Sequence, residues 1–77
     1  MTLEELRNSE DYKKAVDKIK GYSKGFEFTI YYNQMNTPLK NAMDKILKDC
    51  TDQGLIESIQ MGVNFDMEIT DETFRRL

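Results

Sequence analysis

Residues 37–54, TPLKNAMDKILKDCTDQG, carry the signals of one amphipathic helix with both ends marked. Thr37 is a favoured N-cap type, because its hydroxyl can accept from an orphan N–H of the first turn. Pro38 then falls at the first helical position, where its missing N–H costs nothing and its fixed φ suits a helix. Leu39, Ala42, Met43, Ile46, Leu47 and Cys50 recur at spacings of three and four, which puts them on one face. Lys40, Asn41, Asp44, Lys45, Lys48, Asp49 and Asp52 fall largely outside that stripe, on the side expected to meet water. Gly54 is the expected stop, since glycine enters the left-handed C-cap conformation without a Cβ penalty.

On both sides of this helix the hydrophobic period changes to two. Upstream, Phe26, Phe28, Ile30 and Tyr32 alternate with Glu27, Thr29, Tyr31 and Asn33, predicting a strand over residues 26–35 with one buried face. Downstream, Ile59, Met61, Val63, Phe65, Met67 and Ile69 alternate with polar residues. That run is too long for an ordinary strand, so a hairpin is expected with its turn within residues 62–66, where Gly62 and Asn64 supply turn chemistry. Thr70, followed by Asp71 and Glu72, has the pattern of a cap opening a short terminal helix that carries Phe74 and Leu77.

The N-terminal part reads as helix. Thr2 and Glu5 fit a capping box for a first turn, and Ser9 is placed to cap a longer helix over residues 9–21. Tyr12, Ala15, Val16 and Ile19 form its apolar stripe, acids open it, and lysines cluster toward its end as the helix dipole favours.

The expected fold class is therefore α+β, in the order α-β-α-β-β with a short α at the end. The 77 residues form a single small domain. A three-stranded mixed sheet is expected to carry the two main helices on one face. The first two strands and the central helix would make a β-α-β unit, with a right-handed crossover if those strands are adjacent and parallel.

Composition removes several classes of chemistry. One cysteine and no histidine leave no intramolecular disulfide and no Cys/His zinc cluster. Cys50, on the apolar face, is expected to be a buried thiol. There is no nucleophile elbow and no phosphate-cradling glycine loop, so catalysis and a cofactor are not expected. Asp66, Glu68, Asp71 and Glu72 crowd the C-terminal part, but strand and helix-terminus roles account for them better than a metal does. The absence of a secretory pattern or a long apolar run predicts a cytoplasmic protein with no membrane span. A thin core is expected, because a chain this size buries only about 60–65% of its unfolded surface.

The segment GLIESIQMGVNFDMEITDETFRRL, residues 54–77, resembles the end of a winged-helix DNA-binding domain: a helix leads through a Gly-Leu-Ile step into a hairpin wing, then a threonine-capped helix. The resemblance implies a nucleic-acid-binding regulator. It departs from that pattern in having one helix, not two, between the strand patterns, and in lacking a basic cluster after Gln53.

Two sets of candidate contact residues follow. Lys13, Lys14, Lys18, Lys20 and Lys24 against Asp17 give a local charge of +4 in a chain of net charge −3. Such asymmetry can mark a nucleic-acid or acidic-partner patch, although it is also the ordinary solvated side of a helix. Glu27, Thr29, Tyr31 and Asn33 lie on the strand face turned away from the helices, and Tyr31 offers contact area there at low entropy cost. The favoured expectation is an accessory or regulatory protein without enzymatic activity, acting through contact with a protein partner or with a second copy of itself. The nucleic-acid-binding regulator is the second.

Overall fold

The computed structural model describes residues 2–77, and its elements follow the expected α-β-α-β-β order. They are α1 (Leu3–Asn8), α2 (Glu10–Lys20), β1 (Glu27–Ile30), a 3-10 turn at Tyr32–Gln34, α3 (Thr37–Asp52), β2 (Ile56–Val63) and β3 (Ile69–Arg76). Thr2 caps α1 by accepting from Glu5 N–H at 3.1 Å, and Ser9 caps α2 by accepting from Tyr12 N–H at 3.2 Å. The cap of α3 is Asn36 rather than Thr37: its Oδ1 accepts from Leu39 N–H at 2.9 Å. The other end closes as the sequence suggests. Gly54 takes φ +77°, so Leu55 N–H reaches Cys50 O and Gly54 N–H reaches Thr51 O, the paired bonds of a Schellman motif.

The sheet is fully antiparallel, not mixed, with β3 at its centre in the order β1-β3-β2. The terminal segment read as a helix is this central strand. Thr70, Asp71 and Glu72 do offer a local cap signal. Pairing on both sides with Glu27–Ile30 and Ile56–Val63 overrides it, because tertiary context outweighs weak local preference. The first two strands are consequently not neighbours, and among the described residues no adjacent parallel pair exists.

Phe28 and Phe74 lie opposite one another and stack at 5.7 Å between centroids, turned toward the helices with Ile56. Val16 and Ile19 of α2 and Ile46, Leu47 and Cys50 of α3 close the same core. The smallest Cα extent is 18 Å, as fits one helical layer on one sheet face.

The hairpin differs from its expected form in two ways. Its turn falls at residues 64–68, and bulges between Ser58 and Gln60 and between Gly62 and Val63 interrupt the alternation. Ile59 is the extra residue of the first bulge, which leaves Ser58 and Met61 across from Phe74 and Glu72. The apolar series therefore does not build a core face. Ile59, Met61, Val63, Phe65 and Met67 are all exposed, Phe65 completely and Met67 by 82%. Only Ile69 of that series packs against the core. The turn is held by Asn64, whose Oδ1 accepts from Asp66 N–H and Glu68 N–H at 2.9 and 3.0 Å. Met67 closes it at φ +62°, a region costly for a side chain with a Cβ.

Two substitutions at left-handed positions should move stability in opposite directions. Gly54→Ala forces a Cβ into the helix stop and should cost about 1 kcal/mol, whereas Met67→Gly relieves the turn and should add roughly 0.5–1 kcal/mol. Urea denaturation of both variants reads the difference; a Met67→Gly protein less stable than the parent would show that Met67 packs in a way this structure does not contain.

Candidate interaction surfaces

The one buried charged side chain among the described residues is Asp49, 6% exposed on the inner side of α3. Arg7 of α1 grips its two oxygens, Nε to Oδ2 at 3.1 Å and Nη2 to Oδ1 at 2.9 Å. Tyr12 of α2 donates its hydroxyl to Oδ2 at 2.7 Å, and Gln53 Nε2 donates to the same oxygen and to the Tyr12 hydroxyl, both at 2.8 Å. A carboxylate with this many donors stays ionised in the protein interior. The Arg7 bonds, reinforced by Tyr12 and Gln53 against the opposing effect of burial, hold the Asp49 carboxyl down at about 2. The node ties three helices together and exposes no reactive group. Cys50, beside it, is fully buried, and burial pushes its thiol pKa up, away from nucleophilic use.

The outer sheet face carries two of the four residues expected to meet a partner. Glu27 is exposed and stands 3.6 Å from Arg75, whose other glutamate neighbour is Glu57 on β2 at 3.0 Å. Thr29 faces Thr73 with their hydroxyl oxygens 2.9 Å apart. Tyr31 and Asn33 are exposed, but they leave this face because β1 ends at Ile30 and the chain tightens into the 3-10 turn. The shortened strand has a long-range cause: Tyr32 turns inward, is 3% exposed, and donates its hydroxyl to Glu72 at 3.0 Å. The polar ladder Glu27-Arg75-Glu57 satisfies itself, with exposed ion pairs of small net energy.

Lys13, Lys14, Lys18 and Lys20 are exposed along α2, with Lys24 just beyond it. The hairpin turn carries no lysine; Asp66 and Glu68 are its charged groups. Lys18 instead lines an apolar crevice of about 130 Å3 between α2, β1 and α3, beside Ala15, Tyr22, Phe28, Ile30 and Met43. Tyr22 packs tilted against Phe26 at 4.6 Å and against Phe28 at 5.1 Å, and Tyr22 and Phe28 make one crevice wall aromatic.

The crowded acids separate. Glu72 accepts from Tyr32 and from the Ser58 hydroxyl at 2.6 Å on the inner side, Asp71 accepts from Thr70 at 3.0 Å, and Asp66 and Glu68 belong to the turn. Among the described residues no three acidic, cysteine or histidine side chains converge in a way that could hold a metal. No helix among them is long and apolar enough to cross a membrane.

Sequence reading missed Asp49 as an interior group and the hairpin as an exposed apolar surface. Asp49 borders the stripe, one turn after Ile46 and next to Cys50, so its angular position was a usable signal. Nothing local announced its partner Arg7.

The Asp49 node sets a pH dependence. Its folded pKa of about 2 lies below the ordinary carboxylate value of 3.8, so the stabilisation is complete above the unfolded value. It is lost as pH falls from about 4 through 2, and should amount to on the order of 1–2 kcal/mol after allowing for solvent at the half-exposed Arg7. Urea midpoints measured from pH 5 to pH 2 for the parent and for Asp49→Asn check this: the parent should lose the larger increment. Equal slopes would mean that the carboxylate is not held down.

Comparisons with protein-family models, with curated proteins and with solved structures gave no significant match to this chain.

Proposed function

We propose that this chain is a small cytoplasmic accessory protein without enzymatic activity that works by protein–protein contact, and that the β2–β3 hairpin makes the contact. The observation that carries this reading is the fully exposed Phe65 beside the 82% exposed Met67 at the hairpin turn. Half of the large apolar side chains exposed among the described residues, Ile59 through Met67 at alternate positions, lie on this one arm. Scattered apolar residues need no explanation on a surface, but a concentration of them on one projecting element marks an interaction site. The strained φ of Met67 adds weight, since backbone strain without a packing return clusters at functional positions. β2 is also a sheet edge with unpaired backbone groups along its outer side, the kind of edge that accepts a partner.

The second reading, a winged-helix-like nucleic-acid-binding regulator, is favoured by one observation. The 3-10 turn at Tyr32–Gln34 supplies a helical element directly ahead of α3, and α3 passes through Gly54 and Leu55 into the hairpin. Charge weighs against it. The hairpin carries Glu57, Asp66, Glu68 and Asp71, and on α3 the lysines Lys40, Lys45 and Lys48 are interspersed with Asp44 and Asp52. A phosphate backbone would have to use Lys13, Lys14, Lys18, Lys20 and Lys24, on or just beyond α2, a different element from α3 and the hairpin.

Two measurements separate these readings. Affinity capture from the native host with the parent chain and with Phe65→Ser/Met67→Ser should recover a protein that the variant fails to retain; both residues are exposed, so the fold is unaffected. A titration against random duplex and single-stranded nucleic acid should show no saturable binding. Micromolar binding that weakens steeply with salt, unchanged in the hairpin variant, would overturn the contact reading in favour of the regulator.

A further inference from the structure

We infer that the hairpin turn of one copy docks into the α2–β1–α3 crevice of a second copy, with the Phe65 ring seated between Tyr22, Phe28 and Met43. This rests on the proposed contact role of the hairpin and names its partner. Three observations carry it. The first is size: the crevice holds about 130 Å3, close to but below the roughly 150 Å3 of an enclosed apolar cavity that takes a benzene ring. It is open on one side, so a ring can seat there without being fully enclosed. Phe65 is fully exposed, so within its own chain the ring has no such seat.

The second observation is the chemistry of the walls. Tyr22 already lies tilted against Phe28 at 5.1 Å, and Phe28 stacks on Phe74, so an incoming ring extends an existing aromatic cluster. Met43 supplies an adaptable opposite wall, and Ala15 leaves room for the ring to enter from outside. Tyr22, Phe28, Ile30 and Met43 are all partly exposed, so apolar surface remains there to be buried.

The third is charge. The turn flanks Phe65 with Asp66 and Glu68 and contains no cation. The crevice has Lys18 in its wall, and Lys14 lies one helical turn away on the same side of α2. An acidic apolar tip thus meets a basic apolar crevice, the complementarity that fixes partner and register in weak contacts. The contact either closes as a two-fold, isologous pair with both tips seated reciprocally or, where it is not reciprocated, is heterologous and propagates head to tail. A contact made through one turn and one crevice belongs with the small, transient interfaces, so association is sought up to the millimolar range.

The test is a charge exchange read by sedimentation equilibrium from about 10 µM to about 1 mM, a range that spans such affinities. One variant carries Lys14→Glu/Lys18→Glu and the other Asp66→Lys/Glu68→Lys; all four positions are exposed. The parent should associate with concentration. Each variant alone should associate about tenfold more weakly or not at all, because each juxtaposes like charges at the contact. Their equimolar mixture should recover association, since every tip then finds a crevice of opposite charge. Phe65→Ser should abolish association in the parent and in the mixture. A parent that stays monomeric throughout overturns the inference. So does a parent that associates while Phe65→Ser and the charge variants associate equally well. In either case retention of a foreign protein that depends on Phe65 would leave the broader contact reading standing, whereas loss of both would remove it too.

Discussion

A carboxylate taken out of water must be given donors or it will not stay there, and this small fold is arranged around meeting that demand for Asp49. Arg7, Tyr12 and Gln53 converge on it from α1, α2 and the end of α3. Each donor fixes a helix: α1 could not lie elsewhere without uncovering the guanidinium partner, and α2 could not rotate without withdrawing the tyrosine hydroxyl. In a chain with a core this thin, breaking a buried charge network leaves an unpaired charge, which costs more than the intact network contributes. The helical layer is therefore set by directional bonds as well as by the apolar contacts of Val16, Ile19, Ile46 and Leu47. Because the sheet reaches that layer through Phe28, Ile56 and Phe74, the node also fixes the platform from which the hairpin projects.

The molecule divides its apolar residues between two uses. Those on α2, α3 and the inner positions of the strands are buried. Those on the outer arm of the hairpin are not, although their number and type would suit a core. The bulges contribute to this, since each one shifts the two-residue register along the strand. The polar hold of Asn64 on the turn then keeps Phe65 in water and leaves Met67, 82% exposed, on the rim of a shallow cleft with Tyr32 and Ile69. A crevice with aromatic walls and a basic rim lies open between the helices and β1, where α2 and β1 meet imperfectly. An unused donor surface and an unused acceptor surface occur in one chain.

How much of this was legible in the sequence follows from the range of the interactions. Helices α2 and α3, the Ser9 and Thr2 caps and the Gly54 stop are local matters, and local spacing revealed them. The cap of α3 was misplaced by one residue because Asn36 and Thr37 are both favoured types and Pro38 is tolerated one position later. The terminal strand was hidden because Thr70, Asp71 and Glu72 imitate a helix start, while the pairing that decides the matter comes from residues far away in the chain. Bulges leave no mark in an alternating pattern, so the regular period of residues 59–69 concealed the exposure of its apolar members. Of the expected contact residues, Glu27 and Thr29 share a face as anticipated, but Tyr31 and Asn33 are diverted by the inward turn of Tyr32, a tertiary preference for the Glu72 carboxylate. The lysines of α2 were visible as a charge run; the crevice beside them needed the fold.

The claim that Asp49 organises the helical layer is tested most directly by a double-mutant cycle on Tyr12→Phe and Asp49→Asn, read as unfolding free energies at pH 7. Groups sharing one network should be non-additive, with a coupling on the order of 1 kcal/mol. Strict additivity of the two losses would show that the hydroxyl and the carboxylate act independently, and the node would no longer account for how these helices are held.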